Sequence, residues 1–313
     1  MTDNCALALK IDVDTLKGYR EGLPRLLDML KRRGIRASIF FSMGPDNSGK
    51  AVRRIFRRGF VSKMLRTRAP STYGLKTLLY GTLLPAPMIV ESDPGLLRRA
   101  MDEGHDCGVH AWDHVFWQDW LPSLSREAVR GQFARSMELF ERVSGTAPAC
   151  CAAPGWQTTP DALAVQDELG FAYCSDVRGT GPSLPRVFLP RMGGTTFRTP
   201  QIPSTLPTLD ELWGTDGLDA DTVNDRYLDL LEPGVNVHTI HTEMEGGAMS
   251  GVFEALLDAC LEGEMAFMTL REVLAGAAAT ADGGAAPLPV SEVVMREIPG
   301  RAGTLAVQQA AEG

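Results

Sequence analysis

Two carboxylates stand two residues apart in Lys10-Ile-Asp12-Val-Asp14-Thr15, at the end of an apolar run covering residues 6–13. In a strand, side chains i and i+2 share a face, so both carboxylates point the same way. Two like charges on one buried face call for a cation or a proton. Gly108-Val-His110-Ala-Trp-Asp-His114 supplies two imidazoles. Asp14, His110 and His114 then make a one-carboxylate, two-imidazole set that holds a divalent ion and leaves positions open for water and substrate. Zinc, manganese and cobalt all suit these donors.

Asp12, beside that ion, is placed to take a proton from a water whose acidity the cation raises. Cleaving an amide also requires a proton for the leaving nitrogen. His241, ending the late strand in Val237-His-Thr-Ile-His241-Thr-Glu243, is the candidate acid, with Asp176 as its partner. An ordinary strand-end histidine is the competing account of His241. His238 falls on the other face and is read as structural.

The elements that carry these residues alternate. A strand at 6–13 is followed by a helix over 21–33, with Pro24 near its start and Gly34 after its end, and by a strand at 35–41. Helices are predicted over 94–103, 125–143, 160–169, 221–231 and 252–261. Strands are predicted at 106–109, 147–153, 171–175, 235–241 and 265–270. The Pro- and Gly-rich stretch 179–208 reads as an irregular wall with one strand near 197–202. Repeated strand-helix order with polar residues at strand ends predicts an α/β barrel of parallel strands with its site at their carboxyl ends. One domain over 1–275 follows, then an Ala/Gly-rich linker and tail over 276–313. The runs 290–298 and 304–309 can return to pack on the body, and an ordered and a mobile tail both stay open.

The net charge of −8 hides an asymmetry. Nine of the 31 basic residues lie within 47–90, where there is no acidic one, leaving 22 basic against 39 acidic residues elsewhere. Within this insertion Arg53, Arg54, Arg57, Arg58, Lys63 and Arg66 interleave with Ile55, Phe56, Phe60, Val61, Met64 and Leu65 at about one helical turn. That describes a basic amphipathic helix suited to an anionic bilayer surface or its lipid phosphates. The interleaved residues are mostly aliphatic, and no nucleic-acid module accompanies them. Residues 77–90 are uncharged but too short to span a bilayer. The start Met-Thr-Asp-Asn-Cys runs almost at once into the first strand and predicts a cytoplasmic protein. Six cysteines without a CxxC pair predict reduced thiols and no structural zinc cluster.

Asp12-Val-Asp14, His110-xxx-His114, Ala153-Pro154-Gly155-Trp156, Ser175-Asp176 and Ile240-His241 occur in the order of the five motifs of the polysaccharide deacetylase family, which the sequence resembles. A branch acting on formamido-arabinose is more similar still, through Arg20-Glu-Gly-Leu-Pro-Arg, Ala37-Ser-Ile-Phe-Phe-Ser-Met-Gly-Pro-Asp-Asn, Val109-His-Ala-Trp-Asp-His, Gln201-Ile-Pro-Ser-Thr-Leu-Pro-Thr and Thr239-Ile-His-Thr-Glu-Met-Glu-Gly. The resemblance covers roughly residues 6–275, and Glu297-Ile-Pro-Gly-Arg extends it. It implies a distorted (β/α) barrel with fewer than eight strands. It also implies metal-dependent hydrolysis of the formamide of 4-deoxy-4-formamido-L-arabinose carried on undecaprenyl phosphate, at the cytoplasmic face of the inner membrane. The freed amine then serves lipid A modification and polymyxin resistance. By position, Asp12 becomes the base, Asp14, His110 and His114 the metal ligands, and His241 the acid.

One departure matters. The third motif of this family carries an arginine that pairs with the catalytic aspartate, whereas Cys150-Cys-Ala-Ala-Pro-Gly-Trp has none. Arg178, Arg191 or Arg198 is the expected substitute. Two other functions compete: an N-deacetylase for a soluble or cell-wall amino sugar, and a membrane-associated binding protein without turnover.

Overall fold

The computed structural model describes residues 5–51, 76–179, 181, 184, 186–278 and 287–310. The expected membrane contacts Arg53, Arg54, Arg57, Arg58, Lys63 and Arg66 lie outside them.

β1 (Cys5–Val13) is the axis of the molecule, and its alternation explains the layers. Leu7, Leu9, Ile11 and Val13 turn outward into the main core, where Leu23, Leu26, Leu27 and Leu30 of α1 (Leu23–Arg33) meet them. Ala8, Lys10 and Asp12 turn inward, and Ala8 packs with Phe40, Tyr173, Ile202 and Val237. Proline near the start of α1 and left-handed Gly34 at its end fix the bounds of that helix.

All pairings in the seven-stranded sheet are parallel. The order is β5 (Tyr173–Cys174), β4 (Cys150–Cys151), β3 (Asp106–Ala111), β2 (Ser38–Ser42), β1 and β8 (Gly234–His241). β9 (Ala266–Met268) pairs with the lower half of β1 through Ala6–Ala8, and β2 pairs with the upper half from Lys10 onward. Segment 200–206 bridges β5 to β8: Ile202 N–H donates to Cys174 O, and Thr205 N–H donates to Val237 O. This is the distorted barrel expected from the sequence.

The crossovers are α1, α2 (Pro94–Asp102), α4 (Arg126–Ser144), α5 (Pro160–Leu169), α7 (Val223–Asp229) and α8 (Ser250–Glu262). Each matches a predicted helix within two residues. Among the described residues three further α-helices occur: α3 (His114–Trp120), the four-residue α6 (Leu209–Leu212) and α9 (Leu270–Ala278).

The irregular wall has more order than expected. β6 (Leu189–Met192) and β7 (Thr195–Thr196) form a hairpin, and the strand expected near 197–202 is reduced to bridges at Gln201. β10 (Val290–Glu297) runs parallel to β6 and antiparallel to β11 (Thr304–Ala310), so the chain end completes a second, four-stranded sheet.

Candidate metal and acid-base site

Asp12 lies near the end of β1 and Asp14 just beyond it, His110 lies near the end of β3, and His114 opens α3. Asp14 lies between the two imidazoles, its Oδ1 3.3 Å from His110 Nε2 and its Oδ2 3.3 Å from His114 Nε2. One ligand atom from each of the three falls within a 4.8 Å cluster. Burial alone would raise the Asp14 carboxyl, but His114 and His110 outweigh it and hold it well below the usual carboxylate range. Burial likewise opposes charge on His110, and the Asp12 and Asp14 carboxylates overcome it and push the imidazole up. Asp14 Oδ1 is buried with no hydrogen-bond partner, as is His110 Nδ1. Two imidazoles and a carboxylate, converging with an unpartnered oxygen, fit a divalent cation.

Neighbouring loops hold these ligands. Asp113 caps α3 by accepting from Phe116 N–H, and Asn47 Nδ2 donates to Asp113 Oδ2 at 2.6 Å, which sets the helix end that presents His114. Asp46 Oδ2 accepts from Leu16 N–H at 2.8 Å. Glu243 Oε1 accepts from the Thr15 N–H and hydroxyl, at 2.8 and 2.6 Å. Glu245 Oε2 accepts from His241 N–H at 2.9 Å. Burial pushes Glu243 and Glu245 each up to about 8. Among these supports, Asp46, Asn47, Glu243 and Glu245 are the four carboxylate and amide positions that the sequence did not single out. Their signal was the density of acidic and amide residues directly after β2 and β8.

His241 is the in-register partner of Asp12 on β8, so the two side chains share the inner face. Asp176 is fully buried, and its Oδ1 has no hydrogen-bond partner. Its Oδ2 accepts from Gln166 Nε2 at 2.7 Å and Gln201 Nε2 at 3.2 Å, and burial raises its carboxyl.

The expected arginine substitutes are engaged elsewhere. Arg178 is bound to Glu211 at 2.8 Å, Arg191 to Glu292 at 3.1 Å, and Arg198 lies 3.7 Å from Asp167. The cation beside Asp12 is Lys10, with Nζ 3.6 Å from Asp12 Oδ2 and the whole side chain buried. The same alternation that pairs Asp12 with Asp14 also places Lys10 on their face, and the sequence reading counted only the carboxylates.

Cys151, Cys174 and Asp176 form a second cluster of possible ligand atoms. Cys151 Sγ lies 3.0 Å from Cys174 Sγ, all three residues are buried, and two amides occupy Asp176 Oδ2.

Trp156 closes the inner face. It sits at φ 52°, a left-handed conformation uncommon for a bulky residue, directly after Gly155 at φ 58°. A side chain at Gly155 would meet Gln118 at 2.4 Å. Trp156 Nε1 donates to Ser204 Oγ at 3.0 Å, while the C-terminal hairpin packs Leu305 and Val307 against the ring.

An incomplete parallel barrel with a carboxylate and two imidazoles converging at its strand ends is the architecture of a metal-dependent hydrolase. The chain belongs to the polysaccharide deacetylase family, whose model matches residues 11–174. It is 38% identical, over 96% of its length and 94% of the relative, to the "Probable 4-deoxy-4-formamido-L-arabinose-phosphoundecaprenol deformylase ArnD" of Shewanella sediminis. A protein of the same description from Wigglesworthia glossinidia brevipalpis is 29% identical over 93% of this chain and 98% of its own. Among solved structures, the Bc1960 peptidoglycan N-acetylglucosamine deacetylase shares the fold with a TM-score of 0.52 at 17% identity, covering 86% of this chain and 88% of that one.

Proposed function

We propose that the protein hydrolyses the formamide of 4-deoxy-4-formamido-L-arabinose-phosphoundecaprenol, releasing formate and the free amino-sugar lipid used in lipid A modification. The observation that carries the reading is the in-register pair Asp12 and His241 set beside the Asp14, His110 and His114 cluster. Similarity to the two deformylase relatives over nearly the whole chain supplies the substrate class.

Asp14, His110 and His114 would hold a divalent ion; zinc, manganese and cobalt fit equally. When bound, it polarises the amide carbonyl and stabilises negative charge on that oxygen. Asp12 Oδ1, buried and without a hydrogen-bond partner, takes a proton from the attacking water. His241, from the neighbouring strand, gives a proton to the sugar nitrogen as the C–N bond breaks. Water adds to the formyl carbon, and formate and the amine depart. Trp156, Lys10 and the inner barrel wall keep bulk water from beneath the carboxylates.

The lipid carrier requires the enzyme to work at a membrane surface. Among the described residues no helix is long and apolar enough to cross a membrane. The described end of the basic insertion is a projecting apolar turn in which Leu79, Leu83 and Leu84 are exposed, Leu83 to 81%. Gly49 N–H donates to Tyr80 O at the base of this turn, next to the Asn47 that holds Asp113. The proximity of this apolar turn to Asn47 and Asp113, on the His114 side of the site, supports a reading in which it contacts the cytoplasmic surface of the inner membrane.

The test is formate release from formamido-arabinosyl polyprenyl phosphate in detergent with added metal, by wild type and His110→Ala. Release by the wild type alone supports the reading. Acetate release from a soluble N-acetyl amino sugar, with no formate from the lipid, would replace it with the general deacetylase.

A further inference from the structure

We propose that Lys10 is the positioning residue for the Asp12 carboxylate: it takes Oδ2 and thereby leaves Oδ1 turned into the site. The inference rests on the amide-hydrolase reading above and concerns how its base is held.

Lys10 is fully buried, the most expensive place for an ammonium to lie without compensation. Its Nζ donates to Ser175 O at 2.9 Å and lies 3.6 Å from Asp12 Oδ2. The remaining surroundings are aromatic faces, with Nζ 5.3 Å from the Trp156 ring and 5.8 Å from that of Phe40. One carbonyl, two rings and the Asp12 carboxylate surround the ammonium; the buried Asp176 carboxylate also feels its charge, but among the described residues Asp12 is the carboxylate within ion-pair distance.

Seen from Asp12, the arrangement is asymmetric. Oδ2 faces Lys10, whereas Oδ1 is buried, has no hydrogen-bond partner, and lies 4.0 Å from His110 Nδ1. A carboxylate held by one oxygen presents the other in a fixed direction, as a general base requires. No described backbone group bonds this side chain, so the ion pair with Lys10 is what sets its rotamer.

Lys10 is itself held by a chain of contacts reaching the β10–β11 hairpin. Arg178 and Arg301 stack on the Trp156 ring at 4.8 and 4.7 Å, and Leu305 and Val307 pack against it. The ring thus backed covers the ammonium and keeps water from it.

The experiment compares Lys10→Met, Lys10→Arg, Asp12→Asn and the double variant Lys10→Met/Asp12→Asn in the formate-release assay, with zinc affinity and thermal unfolding measured alongside. Lys10→Met is expected to lower kcat about 100-fold, the scale of a misplaced catalytic group, with KM within about threefold. Lys10→Arg restores the charge and brings kcat back to within about tenfold of wild type. The double variant removes both charges, so it folds even where Lys10→Met does not, and it is no slower than Asp12→Asn alone because Lys10 acts through Asp12. A double variant slower than Asp12→Asn by the full Lys10→Met factor would overturn the proposal, as would a Lys10→Met enzyme of wild-type kcat.

A crystal structure of the Lys10→Met or the Lys10→Arg protein decides independently of substrate. Asp12 turning away in the Met variant and keeping its direction in the Arg variant is the expected result. An unmoved Asp12 in the Met variant, or a displaced one in a folded Arg variant, overturns the proposal. Absence of formate release by the wild type sinks the substrate assignment alone.

Discussion

Asp12 on β1 and His241 on β8 are directly paired in a parallel ladder, so the proposed base and acid share one face of adjacent strands. Their separation is set by backbone pairing, which a side-chain substitution leaves intact. His241→Gln is therefore expected to lower kcat by about 100- to 10,000-fold, the usual contribution of a positioned acid, with unchanged metal content by elemental analysis. Loss of metal together with activity would show that His241 belongs to the ligand set instead.

The cluster of Asp14, His110 and His114 predicts the converse pattern. Alanine at His110 or His114 should weaken zinc binding, read by calorimetry, by more than the roughly 10- to 100-fold that loss of an outer-shell partner costs. Asn47→Ala, which removes the donor to Asp113 Oδ2, tests that outer shell and should fall within the lower range. Equal affinities in wild type and His114→Ala would exclude His114 as a ligand.

The legible part of this protein is the part written in local pattern. The period-2 run of β1 and the Ser125 and Gly145 caps of α4 each have a local cause, and their bounds could be read from it. The ligand trio was likewise visible as residue types at strand ends. What escaped depends on neighbours distant in sequence. β4 and β5 have only two residues each, joined by Ala172 N–H to Ala149 O and Ser175 N–H to Cys151 O, and the far edge of β5 is taken by segment 200–206 through Cys174 N–H to Pro200 O. Lys10 passed unnoticed because a lysine in a strand reads as solvent-facing until the inner face is known to be closed by Trp156. The two amides on Asp176 Oδ2 belong here too, since Gln166 reaches it from α5 and Gln201 from segment 200–206.

Glu245 gives the fold a pH dependence with a definite sign. Burial raises its carboxyl from the ordinary 4.5 to about 8 in the folded chain. An acid raised by folding contributes stability that is complete below its unfolded value and is lost as pH rises through the folded one. Stability should fall between about pH 5 and 8, on the order of 1 kcal/mol per pH unit from this group. Glu245→Gln keeps an oxygen for His241 N–H and cannot ionise. Its urea-derived stability should decline less steeply over that window, and a slope equal to wild type would show that Glu245 stays ionised.

The C-terminal hairpin should be required for the barrel. Leu305 is 2% exposed and packs on Trp156, and Gln157 Nε2 donates to Thr304 O at 2.7 Å. Leu305→Ala is expected to cost about 2–5 kcal/mol, as buried leucine truncations do. Increased quenching of tryptophan fluorescence by acrylamide would report the loosened ring. A stability within about 0.5 kcal/mol of wild type would mean that the hairpin is only appended to the body.

Leu83 provides the test of the membrane-facing turn. A leucine 81% exposed contributes nothing to the core, so Leu83→Asp should leave unfolding within about 0.5 kcal/mol of wild type. If the turn rests in a bilayer, the same change removes the transfer of one apolar side chain, about 1.5–3 kcal/mol, and adds a charge repelled by anionic headgroups. Sedimentation with vesicles of phosphatidylglycerol and phosphatidylethanolamine should then show binding at least about tenfold weaker, with hydrolysis of a short-chain, detergent-free substrate unchanged. Equal vesicle binding by the two proteins would remove Leu83 from the contact and leave the basic insertion alone to bring the enzyme to its lipid.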